Sequence, residues 1–569
     1  MKGGAMISVY CENIKQSFEC EPGTTLSEFL TQTGLTLEWP VLAAVVDNQL
    51  KELGFNIYIS HTVKFIDYSH PDGYRTYIRS LNFVLQKVVA GIYPQYSLVI
   101  DYNLQNGMYG ELRELEPDED NSPKVVALSE EEILEIKRRM QQLIDADLPF
   151  TRQKVRTDEA VAIFKLQNKP EKAFLHEQRG KFFTTVYYLD GYADHFYGPL
   201  LESTGKLTTF DFESFSRGFL IITPPITKPY EIVKTPYQYK LFDVFKEYSD
   251  WCSILGVKGV ASLNQAILED KARSLIQIAE GLHERKYAAI ADEIFKRREK
   301  VKLVLIAGPS SSGKTTTSKR VALQTRVLGL NPIIIELDNY FIDRDFTPKD
   351  SDGNYDFEIL EALDIEFLNG QLNELIQGKT INLPRFDFAL GKRTFLGETL
   401  TMGEKDILIM EGIHALNPNL TKHLPRDTMF KIYASALTSL SLDENNNISS
   451  SDNRLIRRIV RDGFFRGVSP ESTILRWPSV RRGEINNIFP HQENADIMFN
   501  SALIYELPLL KYYAEPSLRR IAPNSPASTE SIRLLKFLSY IQELQPSEIS
   551  LVPPTSVMRE FIGGSSFRY

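Results

Sequence analysis

The chain has 569 residues, 43% hydrophobic and 24% charged, with a formal net charge of −9. That length exceeds one compact core and predicts about three domains, while the acidic balance argues against a protein whose main business is wrapping nucleic acid. Three cysteines in no metal-like spacing suggest neither a disulfide framework nor a zinc site; with no apolar run approaching ~18 residues and no signal-peptide core, a cytoplasmic protein without membrane spans is expected.

In chain order, the first segment, 1–68, opens with MISVYCENIKQSFEC, which alternates apolar and polar residues as a half-buried strand does. EPGTT reads as a turn and LSEFLTQTG as a short helix closed by Gly34. VLAAVVDNQLKEL then reads as strand, Asp-Asn turn and strand. Small β-grasp domains have this order. The segment resembles a TGS domain, the ubiquitin-like module of threonyl-tRNA synthetase and some GTPases, with AAVVDNQLKEL in the place of its hairpin. The resemblance implies a docking or RNA-contacting unit without chemistry of its own.

The second segment, 69–245, is mixed α+β, with a helical pattern over 73–93 and probable strands after it. It resembles the second additional domain of threonyl-tRNA synthetase, the editing module, in that helix and in DHFYGPLLESTG at 194–205. The module carries H-S-x-x-H on its helix and C-x-G-P-H in the later stretch. Here those places read Arg79, Ser80, Leu81, Asn82, Phe83 and Phe196, Tyr197, Gly198, Pro199, Leu200. Phe and Leu have no lone pair to offer a metal or a proton, so the fold is expected without the hydrolysis, and His195 reads as structural. Residues 246–300 read as a helical connector, with Ile267, Ala272, Leu275, Ile278, Ala279 and Leu282 near a 3.6-residue period. KRREK at its end reads as a solvated helix terminus.

From 301 to 515 strand and helix patterns alternate, which predicts a parallel α/β sheet covered by helices on both faces. VKLVLIA, NPIIIELD, KDILIMEG and MFKIYAS are the strand candidates. The first runs into GPSSSGKT, Gly308–Thr315, a full match to G-x-x-x-x-G-K-[ST]. Such a loop binds phosphate because successive backbone N–H groups and the helix dipole converge on one anion position. Gly308 and Gly313 permit the curvature; Ser310, Ser311, Ser312, Thr315 and Thr316 would cradle the phosphates. Lys314 would reach the β and γ phosphates of a nucleotide, and the Thr315 hydroxyl would meet Mg²⁺. Asp338 and Glu411 close two strands at the end where such sheets bind ligands.

Residues 301–515 resemble the uridine kinase and phosphoribulokinase family of P-loop kinases, and the whole chain its long bacterial form with TGS-like and editing-like modules. LDNYF supplies Asp338 and Tyr340; GNYDF supplies Asn354, Tyr355 and Asp356. In LPRFDFALGKR, Asp387, Phe388 and Arg393 match, while Phe386 replaces a Tyr and Gly391 falls where a His would be. RLIRRIVRDGFFRG resembles the lid, with Arg457, Arg458, Arg461 and Arg466 in place and Val468 where a further arginine would be. The resemblance implies ATP-dependent transfer of the γ-phosphoryl group to a hydroxyl of a nucleoside-like small molecule. Asp338, Lys314, Arg461 and Arg466 would be catalytic, Asp338, Tyr340, Asp356, Phe386, Asp387 and Arg393 would hold the acceptor, and Thr315 and Glu411 the metal. Phe386 and Gly391 remove a hydroxyl and an imidazole from the pocket wall, so the acceptor stays open. Arg385, Arg393, Arg481 and Arg482 would suit an anionic one.

The alternative from another class is an RNA- or ribosome-associated regulator that uses the N-terminal modules, with the loop as a nucleotide switch. Against it, the Asn-Lys pair here is followed by Pro170 and Glu171, not by the guanine-reading Asp. Residues 516–569 hold a helix pattern and the tail SVMREFIGGSSFRY, whose Arg559, Gly563 and Gly564 resemble the long form's tail; packing on the kinase or covering its site is the expected role. Oligomeric state stays open between monomer and homo-oligomer.

Overall fold

The structure is a computed structural model that describes residues 6–104, 107–116, 124–349, 353, 355–387 and 390–569. The first unit is a five-stranded sheet in the order Gln16–Cys20, Ile7–Cys11, Thr62–Ile66, Ala43–Val46, Gln49–Lys51. Ile7–Cys11 and Thr62–Ile66 run parallel, and every other neighbouring pair antiparallel. Helix Leu26–Thr33 begins on a Thr25/Glu28 capping box and ends at Gly34, whose φ of 64° closes it as a left-handed cap. Asp47 and Asn48 take φ of 46° and 59°, the double positive turn that a two-residue hairpin needs and that short polar side chains tolerate.

The second unit packs helix Pro71–Ile92 on an antiparallel sheet containing Tyr96–Leu104, Gly107–Glu114, Gly218–Ile222 and Asp211–Phe215, beside a smaller sheet of Thr151–Arg156, Phe183–Leu189 and Tyr192–Asp194. The boundary drawn at 245/246 falls inside a continuous helix, Tyr239–Ile254. Its aromatic face packs back on the second unit, with Phe245 stacked 4.8 Å from Tyr102, so no linker composition marks the spot. The connector is two helices, Val260–Leu268 and Ala272–Lys296, with Asp270 at φ 59° between them. That break resets the helical phase and leaves Ile278 exposed. Helix Glu506–Leu518 likewise runs through the boundary at 515/516.

The C-terminal unit is a five-stranded parallel sheet in the order Asn331–Glu336, Asp406–Glu411, Leu303–Ala307, Met429–Ser435, Ile497–Asn500. The last strand has no counterpart among the predicted ones. Successive residues of the central strand serve opposite layers: Leu303 and Leu305 enter one apolar cluster, Val304 and Ile306 another, as the two-residue strand period requires.

A hairpin of this unit, Ser441–Asp443 and Asn446–Asn447, reaches into the second unit. Ile100 donates its amide to the Glu444 carbonyl. Lys172, fully buried, lies 2.5 Å from Asp194 and 3.6 Å from Asp443. Tyr197 donates to Asp443 at 2.9 Å, and Asn445 Nδ2 to Asp194 at 3.2 Å. No helix among the described residues is long and apolar enough to cross a membrane.

Candidate active site

The buried central strand ends at Gly308, where a Cβ would lie 1.9 Å from the Ala434 carbonyl oxygen, so a side chain is sterically barred. Ser311 at φ 58° and Gly313 at φ 81° turn the chain back into helix Lys314–Val327. The loop's carbonyls are held from outside. Arg454 donates to the Ser310 carbonyl at 3.0 Å, Arg457 to that of Ser311 at 3.4 Å, and the Ser501 hydroxyl to that of Ser312 at 2.5 Å. Arg458 donates to the Ser310 hydroxyl at 2.9 Å. The Ser311 and Ser312 hydroxyls are buried without a hydrogen-bond partner among the described residues.

Thr315 donates its hydroxyl to Glu411 Oε1 at 2.6 Å, joining the first helical turn to the end of the adjacent strand. Lys314 Nζ donates to the Pro309 carbonyl at 3.2 Å. Burial pushes Glu411 up to about 7, against the pull of Lys314 and the Thr315 hydroxyl. Asp338 follows strand Asn331–Glu336, keeps a solvent-open face and is otherwise crowded by protein; burial raises its pKa and Lys314 opposes the rise. Glu358 is also held up at about 7, by burial and then by Glu484, with Arg458 and Lys314 opposing. Asp338, Glu358 and Glu411 therefore all feel the charge of Lys314.

Other predicted residues are placed differently. Tyr340 is fully buried and donates its hydroxyl to Gln371 at 2.9 Å, away from the strand ends. Arg393 pairs with Asp364 at 2.9 Å and lies over the Phe367 ring. Phe386 is buried edge-on to Phe341. Asp387 accepts from the Leu390 amide, and Asp356 from the Glu358 amide. Arg461 and Arg466 gather on Asp462, with Arg466 more than half exposed. Arg457 is fully buried and paired with Glu506, so it is part of the framework and not of a mobile lid. Asn354 and Phe388 lie outside the described residues.

Residues 303–504 match the phosphoribulokinase / uridine kinase family model. A uridine kinase from Macrococcus caseolyticus is 33% identical over 202 residues, spanning 35% of this chain and 87% of the relative. The chain belongs to the phosphoribulokinase/uridine kinase family. A uridine kinase from Bacillus velezensis is 32% identical over 195 residues, 34% of this chain and 82% of the relative. A solved structure described as a possible uridine kinase from Bacillus stearothermophilus is 17% identical and covers 35% of this chain and 89% of that one, with a TM-score of 0.24.

Within the span matched to the family lies an acid that sequence reading passed over. Glu484 is fully buried, pairs with both guanidinium nitrogens of Arg454 and with Arg481, and accepts the Ser310 amide at 3.1 Å. Burial opposes its ionisation, but Arg454 and Arg481 outweigh it and hold its pKa below the usual range. Its signal in the sequence is the spacing of Arg481 and Glu484, one helical turn apart in RRGE.

Proposed function

We propose that this chain is an ATP-dependent kinase that transfers the γ-phosphoryl group to a hydroxyl of a nucleoside-like small molecule. The observation that carries this is the Thr315–Glu411 contact beside Lys314, formed where parallel strands end. ATP would lie along Gly308–Thr316, a loop whose Ser310, Ser311 and Ser312 carbonyls are already held by Arg454, Arg457 and Ser501. Thr315 and Glu411 present paired oxygens fit to hold Mg²⁺, which when bound would neutralise charge on the phosphates.

Asp338 accepts the acceptor's proton as the hydroxyl oxygen attacks; its solvent-open face leaves room for a substrate, and its raised pKa suits a proton acceptor. Lys314, Arg461 and Arg466 supply positive charge to the transferring group. Asp356 and Asp387 offer carboxylates to the acceptor, while Phe386, Tyr340 and Arg393 shape its pocket from behind. The test is ADP release by purified full-length protein against a panel of nucleosides and sugar phosphates, with Asp338→Asn as control. Release that needs no acceptor, or that survives in Asp338→Asn at the wild-type rate, would remove this assignment.

The N-terminal units support a second role. The sheet order with one parallel central pair favours a TGS-like β-grasp module. In the editing-like unit the Arg79 guanidinium lies against Gly198 and donates to the Pro199 carbonyl, filling the space between helix and Gly-Pro loop. Hydrolysis of mischarged tRNA is therefore not expected, and measured deacylation would overturn that. Exposed Phe182 and Phe183, with Lys154 4.9 Å over the latter ring, offer aromatic faces of the kind that stack unpaired bases. Co-purifying RNA lost on Phe182→Ala would support RNA contact there.

A further inference from the structure

The P-loop already holds an anion from its own chain. Glu560 Oε2 accepts from the Thr316 amide at 3.2 Å and from the Thr316 hydroxyl at 2.6 Å. Thr316 sits in the first turn of the loop's helix, where orphan N–H groups and the dipole favour negative charge. The Tyr569 hydroxyl lies 2.9 Å from the same Thr316 hydroxyl, and its ring sits under Lys319. Val557 covers the loop from the other side: its Cγ2 lies 2.5 Å from where a Cβ on Gly313 would be.

The two ends of this tail are held differently: the first is packed into the core, and the second is tied at the surface, with the Ser566 amide donating to the Pro554 carbonyl at 3.0 Å. Val557, Met558 and Phe561 are buried in the same apolar cluster as the arginine helix, Phe561 with its ring 5.0 Å from the Arg457 guanidinium carbon. Arg559 donates to the Val552 carbonyl at 2.6 Å. Beyond this anchor, Gly563 and Gly564 take φ of 88° and 74°, and Ser565–Tyr569 turns back over the loop, mostly exposed. A carboxylate oxygen and a phosphate oxygen cannot share one amide donor at hydrogen-bond distance without direct like-charge contact.

We propose that the C-terminal tail is a strap that closes the nucleotide site, with Glu560 standing in for a phosphate and Tyr569 latching it. Met558 and Phe561 anchor the backbone on either side of Glu560, whose side chain alone rotates, and Gly563–Gly564 hinge the end that carries Tyr569. A nucleoside triphosphate enters only when Glu560 swings off Thr316 and Tyr569 lifts away. Apparent affinity is then reduced by the closed fraction, and release of the strap restores it. This rests on the nucleotide-binding role of the loop proposed above.

The test uses the full chain. Calorimetric titration with ATP is expected to show about tenfold tighter binding for Glu560→Gln and for Glu560→Gln/Tyr569→Phe than for wild type. In parallel, hydrogen exchange on the unmodified protein is expected to show residues 563–569 losing protection when ATP is added, while 557–561 stay protected. Equal or weaker affinity in the variants, or protection of 563–569 that ATP leaves unchanged, overturns the strap and leaves the kinase assignment standing. Absence of ATP binding in wild type and variants alike overturns both.

Discussion

Thr315 Oγ1 and Glu411 Oε1, 2.6 Å apart, tie the loop's helix to the neighbouring strand and place two oxygen donors side by side. Removing the hydroxyl with Thr315→Val is expected to raise the Mg²⁺ concentration needed for half-maximal ADP formation by about 10–100-fold, with little change in Tm. A magnesium dependence identical to wild type would take Thr315 out of the metal site.

Asp338, just past the end of strand Asn331–Glu336, is the proposed proton acceptor. Asp338→Asn is expected to lower kcat by about 10²–10⁴-fold with KM for ATP nearly unchanged, because the side chain lies outside Gly308–Thr316, the loop proposed to hold the phosphates. Steady-state kinetics at saturating acceptor would show it.

Tyr340 gives its hydroxyl to Gln371 within the core. Tyr340→Phe leaves that buried acceptor unpaired and is expected to cost about 1–3 kcal/mol of stability, read from urea midpoints. KM for the acceptor should hold; a large rise in KM without a loss of stability would put the hydroxyl back in the pocket.

Asp194 is held down to about 2: burial raises it, and Lys169 and Lys172 more than compensate. A depressed carboxylate contributes stability that is present above its ordinary pKa of 3.8 and is lost as pH falls toward the folded value. Asp194→Asn is therefore expected to destabilise the protein near neutral pH, with about 2 kcal/mol of the loss traceable to this charge. That portion should vanish between about pH 4 and pH 2 in a comparison of unfolding midpoints.

The central strand, the loop and the strand-end acids were legible in the sequence because they follow local rules: an apolar run, glycines at tight turns, a carboxylate after a buried strand. Tyr340 and Arg393 were placed by resemblance, but residue type does not tell which way a side chain faces, and Gln371 and Asp364 claim them. Ile497–Asn500 is too short to announce itself as a strand, and depends on Met429–Ser435 for its pairing. Glu560 could not be connected to Thr316 from sequence at all, since 244 residues separate them and only the folded chain brings them together.

Lys172 belongs to two units at once. With Asp194 on one unit and Asp443 on the hairpin of the other, one buried ammonium is shared by both. Breaking such a group by changing one partner leaves an uncompensated interior charge, so neither module can drift without the other. A chain cut down to 301–515 would therefore carry Asp443 on a hairpin whose buried ammonium partner is gone.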